Sequence, residues 1–485
     1  MKWFSLPSAL LCLALCSMFC CTAARADFVE YQILGTPLTM LLEGTATYTG
    51  KTIILRHPKF GSLYFPNSTR VHRVPSTYDQ YAKKLNAAKT KQDAAFTMEV
   101  ARWALKHGLL KNFHQAVDLA KEHDGQNVEV ARIEGLRAKM AVDLGDHAEQ
   151  EKALRKFCRK RDMKVTVSEH FILLHDTPDK PAEGRHKPRA EERLELLEMV
   201  YETFLFTFYA RGVQLEVPRE RLMVVLFNEY DDFRAFADEL SPELASAAGF
   251  FIHDQNISVF FDHSTKGEME ALTRLAQRLE VERDRAIKLR SPGVADIRRF
   301  SDTISLLVEV TKENYDIEVV SHEATHHMAA NTGLLPRHVR IPSWVHEGLA
   351  TYFEAPDEAV WAGVGAVNRE RLDLYRALEH DRVHSNIDFI VGDQIFNFAA
   401  SNGATLHGYG QAWALTHFLM EKRFDDFMKF YRRLGEMPPD VMLSPELLTR
   451  IFDETFGKDR RALDSQWRAY MRSLKTDADV VLENR

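Results

Sequence analysis

Ile317-Glu318-Val319-Val320-Ser321-His322-Glu323-Ala324-Thr325-His326-His327-Met328-Ala329-Ala330-Asn331-Thr332-Gly333 is the stretch on which the reading of this chain turns. Apolar or helix-tolerant residues at Ile317, Val319, Val320, Ala324, Met328 and Ala329 predict a helix, and Asn331-Thr332-Gly333 supplies its stop. Positions four apart on a helix share one face, about 6 Å apart, so the imidazoles of His322 and His326 can meet a single ion. Glu323 projects beside them, close enough to reach a water on that ion without ligating it. A segment this apolar is expected to be buried, and buried charged groups need a partner. A metal ion would be that partner.

A catalytic zinc site needs a third protein ligand and an open position. A third His six residues after the second is absent, since Thr332 stands there and Ala329 takes the place of the Gly in that extended pattern. A second helix begins after Pro342, with Trp344-Val345-His346-Glu347-Gly348-Leu349-Ala350-Thr351-Tyr352-Phe353-Glu354. Glu347 lies 21 residues beyond His326, a length that can fold this helix back and bring its first-turn carboxylate to the site. His346 competes with Glu347 for the role of ligand. Thr351, one turn on, can orient a ligand, and Glu354 is expected on a solvated face.

Around this centre, the chain of 485 residues is 45% apolar, 27% charged and 10% aromatic, the balance of a folded globular protein. Its 63 Lys and Arg against 70 Asp and Glu give −7, with no long basic run, so nothing points to nucleic acid or an anionic membrane. Residues 1–26 read as a secretory signal: Lys2, an apolar run over 9–19, and Ala24-Arg25-Ala26 as a cleavage site. An uncleaved anchor is the rival reading, because the run nearly reaches the length of a membrane span. Phe19 and Cys20 fit a lipid-attachment site poorly. Cleavage would remove Lys2 and Arg25 and no acid, taking −7 to −9. The expected location is exported: periplasmic, cell-envelope or secreted, with no membrane span after signal removal. Of five cysteines only Cys158 lies outside that segment, so the core must be held by packing, and Cys158 reads as structural.

Residues 27–78 alternate apolar and polar side chains between turn signals and read as a small antiparallel β-rich unit. Over 79–162 the period becomes helical, with Ala101, Ala104, Leu105 and Leu109 on one face and Gly108 as a stop, which predicts helical hairpins of repeat-like character. Residues 163–485 then read as one larger domain. It has strands near Phe171-Ile172-Leu173-Leu174 and Leu222-Met223-Val224-Val225-Leu226-Phe227, a long helix over about 190–210, and a hairpin joining 250–252 to 257–261. His253 and His263 flank that hairpin and read as polar surface or turn residues. Over 266–290 a charged helix keeps an apolar stripe at Leu272, Leu275, Leu279 and Ala286, and from about 311 onward the chain reads mainly helical. The class is α+β.

These residues resemble the gluzincin metallopeptidases, in which two His and a downstream Glu bind zinc. Within them the chain is most similar to the exported bacterial domain-of-unknown-function family 1570. The stretches that carry the likeness are Pro218-Arg219-Glu220-Arg221-Leu222, Ala248-Gly249-Phe250, His322-Glu323-Ala324-Thr325-His326, Asn331-Thr332-Gly333, Pro342-Ser343-Trp344-Val345, residues 347–354, and Tyr409 with Trp413-Ala414-Leu415. It covers roughly 163–420 and is densest over 318–354. His327, where the family pattern has Gln, is a departure at a position that is not a ligand. The resemblance implies a zincin-like domain with a mixed or antiparallel sheet, an active-site helix and a helical C-terminal part. It further implies Zn2+ on His322, His326 and Glu347, Glu323 as general base, and a peptide or protein substrate. Related peptidases place a Tyr where Tyr409 stands, which makes it the candidate oxyanion donor; the competing reading is a Tyr packed at the start of an apolar helix. Such enzymes hold an extended substrate on an edge strand, for which Ile257–Phe261 is the candidate unless the hairpin only closes the sheet.

The expected activity is hydrolysis of peptide bonds. The runner-up is an exported interaction protein in which residues 27–162 bind a partner and the zinc-binding core is structural or silent. A cell-wall-modifying enzyme with the same zinc chemistry is a third class.

Overall fold

The computed structural model describes residues 26–32, 39–160, 162–181, 185–354, 356–357 and 360–483. The expected export segment, up to residue 25, lies outside them. Among the described residues no helix is long and apolar enough to cross a membrane.

Five antiparallel strands, β1 (Ala26–Gln32), β2 (Thr39–Thr49), β3 (Thr52–Arg56), β4 (Ser62–Pro66) and β5 (Val71–Val74), pair in the order β4-β3-β2-β1-β5. The sequence alternation is visible in β3 and β4, where Ile53, Leu55, Leu63 and Phe65 turn inward to a core of their own. Helices α1 (Thr77–Lys91), α2 (Ala94–Lys106), α3 (Leu110–His123) and α4 (Val128–Met140) follow, with α2 packed closely on α3. Gly108 ends the α2 turn at φ +69°, the left-handed conformation that glycine takes without strain. The apolar faces of these helices belong to one core that continues through the later chain. Helix α5 (Ala148–Phe157) instead turns Leu154 and the buried Cys158 against the back of the next sheet.

That sheet consists of β6 (Lys164–Val167), β7 (Phe171–His175), β8 (Leu222–Phe227), β9 (Phe250–Ile252) and β10 (Ile257–Phe261), in the order β6-β7-β8-β10-β9. Strands β7, β8 and β10 run parallel in the middle, and the two outer pairings are antiparallel. The central strands are near-continuous apolar runs because both faces are covered. Leu173, Val224, Leu226 and Phe260 face α6 (Arg189–Tyr209), whereas Ile172, Leu174, Val225 and Phe261 meet α5 and α7 (Tyr230–Leu240). The expected edge strand is corrected here: Ile257–Phe261 is buried along its whole length between β8 and β9, and the edge is Phe250–Ile252. Parallel pairing with β8, which joins residues far apart in sequence, moves it inward.

Helices α8 (Gly267–Lys288) and α9 (Val294–Asn331) form a long antiparallel pair. The helix expected around residues 317–330 is thus the end of a 38-residue one. In α8 only Ala276 and Ala286 are buried, and Leu272 and Leu275 of the expected apolar stripe are 37% and 48% exposed. The remaining chain is helical: α10 (Ser343–Phe353), α11 (Arg369–Leu378), α12 (Ile387–Val391), α13 (Ile395–Ser401), α14 (Thr405–Lys422), α15 (Phe424–Gly435), α16 (Pro445–Phe456), α17 (Arg460–Ser473) and α18 (Asp477–Glu483). Large helical and sheet layers around shared cores make the chain an α+β protein.

Helix α9 is fixed by charge as well as by packing. Asp316, buried in its middle, accepts from Arg193 at 2.6 Å and His263 at 2.8 Å and pairs with Arg189. His263 is therefore a fully buried pin, which also contacts the Ala248 carbonyl, and not the surface residue its position suggests. One turn earlier Glu313 receives Lys59, from the loop between β3 and β4, at 2.5 Å, and also Arg185. His327 pins the same helix to β10 through Ser258 Oγ at 3.0 Å.

Candidate metal centre

His322 and His326 come from the last turns of α9, and Glu347 from the first turns of α10, which folds back across them. Two features place α10. Its N-terminus is capped from a distance by Asp393, whose carboxylate accepts from Ser343 N at 2.9 Å and Trp344 N at 3.1 Å. Its neighbour α14 comes so close at Gly348 that a Cβ there would stand 2.2 Å from Thr416 Oγ1 and 2.8 Å from the Ala412 carbonyl. The Gly of Glu-Gly-Leu-Ala is thus needed for packing one residue from the carboxylate.

Among the described residues, His322, His326 and Glu347 form the group whose donor atoms could hold a metal ion. His322 Nε2 lies 3.0 Å from His326 Nε2 and 3.0 Å from Glu347 Oε2, and His326 Nε2 lies 3.7 Å from that oxygen. Three donors at 2.0–2.2 Å from a tetrahedral ion would be spaced about 3.3 Å apart, which this triangle brackets. Glu347 Oε2 is buried and makes no hydrogen bond of acceptable geometry, as an atom awaiting a cation would. The donor set suits zinc.

His322 is the better anchored imidazole. Its Nδ1 hydrogen-bonds Glu354 Oε1, so Nε2 is left with a lone pair facing the other donors. Glu354 is corrected from the expected solvated face: it is 1% exposed at the end of α10, and Arg371 of α11 donates Nε to its second oxygen at 2.9 Å. Arg371 also pairs with Glu318, one turn before His322. A signal for Glu354 existed, since seven residues past Glu347 is two turns along the same face. Arg371 had none, being brought in by a separate helix. Replacing Glu354 with Gln keeps the volume and removes the charge behind His322. Zinc affinity should fall by about 10–100-fold, read by competition with a chromogenic chelator.

Burial opposes a charge on His322, but Glu354 and Glu347 outweigh it and raise its pKa; burial pushes His326 down to about 4. Burial would also raise Glu347, yet His346 and the two facing imidazoles hold it well below the usual carboxylate range. Glu323, 8% exposed, is pushed up to about 7 by burial, with His322 opposing and Glu347 adding to the rise. Four carboxylates, Glu318, Glu323, Glu347 and Glu354, thus crowd one region in which Arg371 supplies the guanidinium. A divalent cation would restore the balance.

Tyr409 stands at this site, its ring 6.0 Å from that of His322, under Arg371 and edge-on to Phe396. The negative charge of Glu347, then burial, raises its pKa, so the phenol keeps its proton. His346 presents Nδ1 to Glu347 Oε1 at 3.2 Å and packs its ring beside His326. Thr351 does not reach the carboxylate: its hydroxyl donates to the Glu347 carbonyl at 2.8 Å, the ordinary back-bond of a helical Thr. His253, after the edge strand, lines a cavity beside His326 and His346.

Fold and site together describe an α+β protein with a His-His-Glu donor triad on two crossing helices, backed by a buried carboxylate. Residues 316–440 match the family model described as a protein of unknown function (DUF1570). This match supports the likeness to that family and spans the triad, Glu318, Glu323, Glu354, Arg371, Asp393 and Tyr409. No curated protein and no solved structure matches the chain.

Proposed function

We propose that the chain is an exported zinc-dependent peptidase of the gluzincin kind, hydrolysing peptide bonds with an activated water. The observation that carries this reading is the convergence of His322, His326 and Glu347 on one point, with a buried Glu323 beside them that bonds none of them. A structural zinc would close its fourth position with another Cys or His and would have no use for Glu323.

A zinc ion in the triad would supply Lewis acidity toward a carbonyl and toward the attacking water. Glu323 takes the water's proton on its carboxylate and returns it to the leaving amine nitrogen. The Tyr409 hydroxyl, which keeps its proton, donates to the oxygen on which negative charge develops. Glu354 holds the Nδ1 proton of His322, and Arg371 holds Glu354. The outer backbone edge of Phe250–Ile252 would offer main-chain hydrogen bonds to an extended peptide of any sequence. Export rests on the charged, apolar and small-residue pattern of residues 1–26.

Metal analysis tests the reading first. The purified chain should carry about one zinc, and Glu347→Ala should carry close to none after dialysis, since dividing the ~10–16 kcal/mol of a four-ligand site leaves roughly 2.5–4 kcal/mol per ligand. Zinc-loaded wild type should then cleave a mixed peptide library. A wild-type protein free of zinc after growth in zinc-replete medium would remove the site, and a zinc-loaded protein that leaves the library intact would favour the silent scaffold.

A further inference from the structure

A cavity of about 400 Å³ opens directly beside the triad, between the last turn of α9, the 333–342 connection, the start of α10 and the 442–448 segment. His326 and His346 stand in its wall, so a group bound there lies against the donor atoms. Its floor is apolar, with Leu335, Val339, Leu443 and Leu448 buried. Its mouth carries two exposed guanidiniums, Arg337 and Arg340.

Those two arginines differ from the others near the site. Arg189, Arg193 and Arg371 are all ion-paired in the interior. Among the described residues neither Arg337 nor Arg340 has a carboxylate in salt-bridge range; Arg337 reaches only the His253 carbonyl, at 3.4 Å. The one acid in the cavity wall, Asp393, is engaged in capping α10. His253 connects the cavity to the sheet edge, because it follows Ile252 directly. A peptide laid along Phe250–Ile252 would therefore be led past His253 into the cavity. A guanidinium fork matches a carboxylate and repels a cationic side chain.

We infer that this cavity is the specificity subsite of the centre and takes a carboxylate, either an Asp or Glu side chain or the free C-terminus of a peptide. The inference rests on the peptidase reading above and adds the class of substrate. The apolar floor receives the aliphatic part of the group and the two arginines at the mouth receive its charge.

Peptide hydroxamates test it by binding, without turnover. Three probes differ only in the side chain beside the hydroxamate, Glu, Gln or Lys with an amidated C-terminus, and a fourth repeats Gln with a free C-terminus. Zinc-loaded wild type should bind the Glu probe or the free-acid probe about tenfold tighter than amidated Gln, and Lys most weakly. Whichever acid wins names the source of the carboxylate. In Arg337→Gln/Arg340→Gln, whose positions are exposed and whose folding is checked by its thermal melt, the preference should shrink to within about threefold. Equal affinity for all four probes, or a preference untouched in the double variant, overturns the subsite. Failure of every probe to bind the zinc-loaded protein overturns the peptidase reading itself, so the two failures are told apart.

Discussion

Glu323→Gln should keep its zinc and lose about 10²–10⁴ of its peptide-cleaving rate, the usual worth of a positioned general base. Gln fills the same buried volume and donates and accepts hydrogen bonds, but it cannot take up a proton. The donor triad does not include residue 323, so metal content should be unchanged. This separates it from Glu347→Ala, where metal and activity are lost together. Rate and zinc content measured on the same preparations decide the matter: a Gln variant with wild-type turnover refutes Glu323 as base, and one without zinc shows a role in holding the ion.

Asp316→Asn should destabilise the fold by about 3–5 kcal/mol near pH 7, the range seen when one member of a buried charge network is removed. Arg189, Arg193 and His263 would be left facing a neutral amide in the interior. The pH dependence has a definite sign. Burial alone would raise Asp316, but Arg189 and Arg193, helped by His263, hold it well below the usual carboxylate range. Burial would raise Asp262 and Glu313 too, yet both are lowered, Arg189 acting together with the Ser264 hydrogen bonds on Asp262 and with Arg185 and Lys59 on Glu313. A carboxylate depressed in the folded state adds stability above its unfolded pKa of about 4 and loses it as the pH falls through the folded value. The gap between wild type and Asp316→Asn in urea midpoint should therefore be full at pH 7 and narrow below about pH 4. A variant with the wild-type midpoint at pH 7 would show that the network does not fix α9.

What the sequence made legible is what local spacing controls. The i, i+4 imidazoles, the Gly-marked helix stops and the alternation in Ile53, Leu55, Leu63 and Phe65 all express periods of a few residues. Pairing order is not of that kind, which is why Ile257–Phe261 read as an edge when Phe250–Ile252 is the edge. Residues set by distant partners were equally hidden. Glu354 is charged at a helix end, where solvent is the ordinary expectation, and only Arg371 and His322 make burial tolerable. His263 and Asp393 likewise acquire their roles from elements far along the chain. Residues 294–312 do carry a helical spacing, at Ile297, Phe300, Ile304 and Leu307, but nothing local shows that they join the 317–330 segment in one helix.

The cavity beside the triad borrows its walls from two sources. Every group assigned to gripping the ion or moving protons falls inside residues 316–440, whereas His253 and Met442, Leu443 and Leu448 come from outside them. Arg337 and Arg340 at its mouth fall inside that stretch as well, so the flanking segments supply only part of the wall. Substitutions at His253, Met442, Leu443 or Leu448 would reshape the cavity and leave the His322, His326 and Glu347 donors in place.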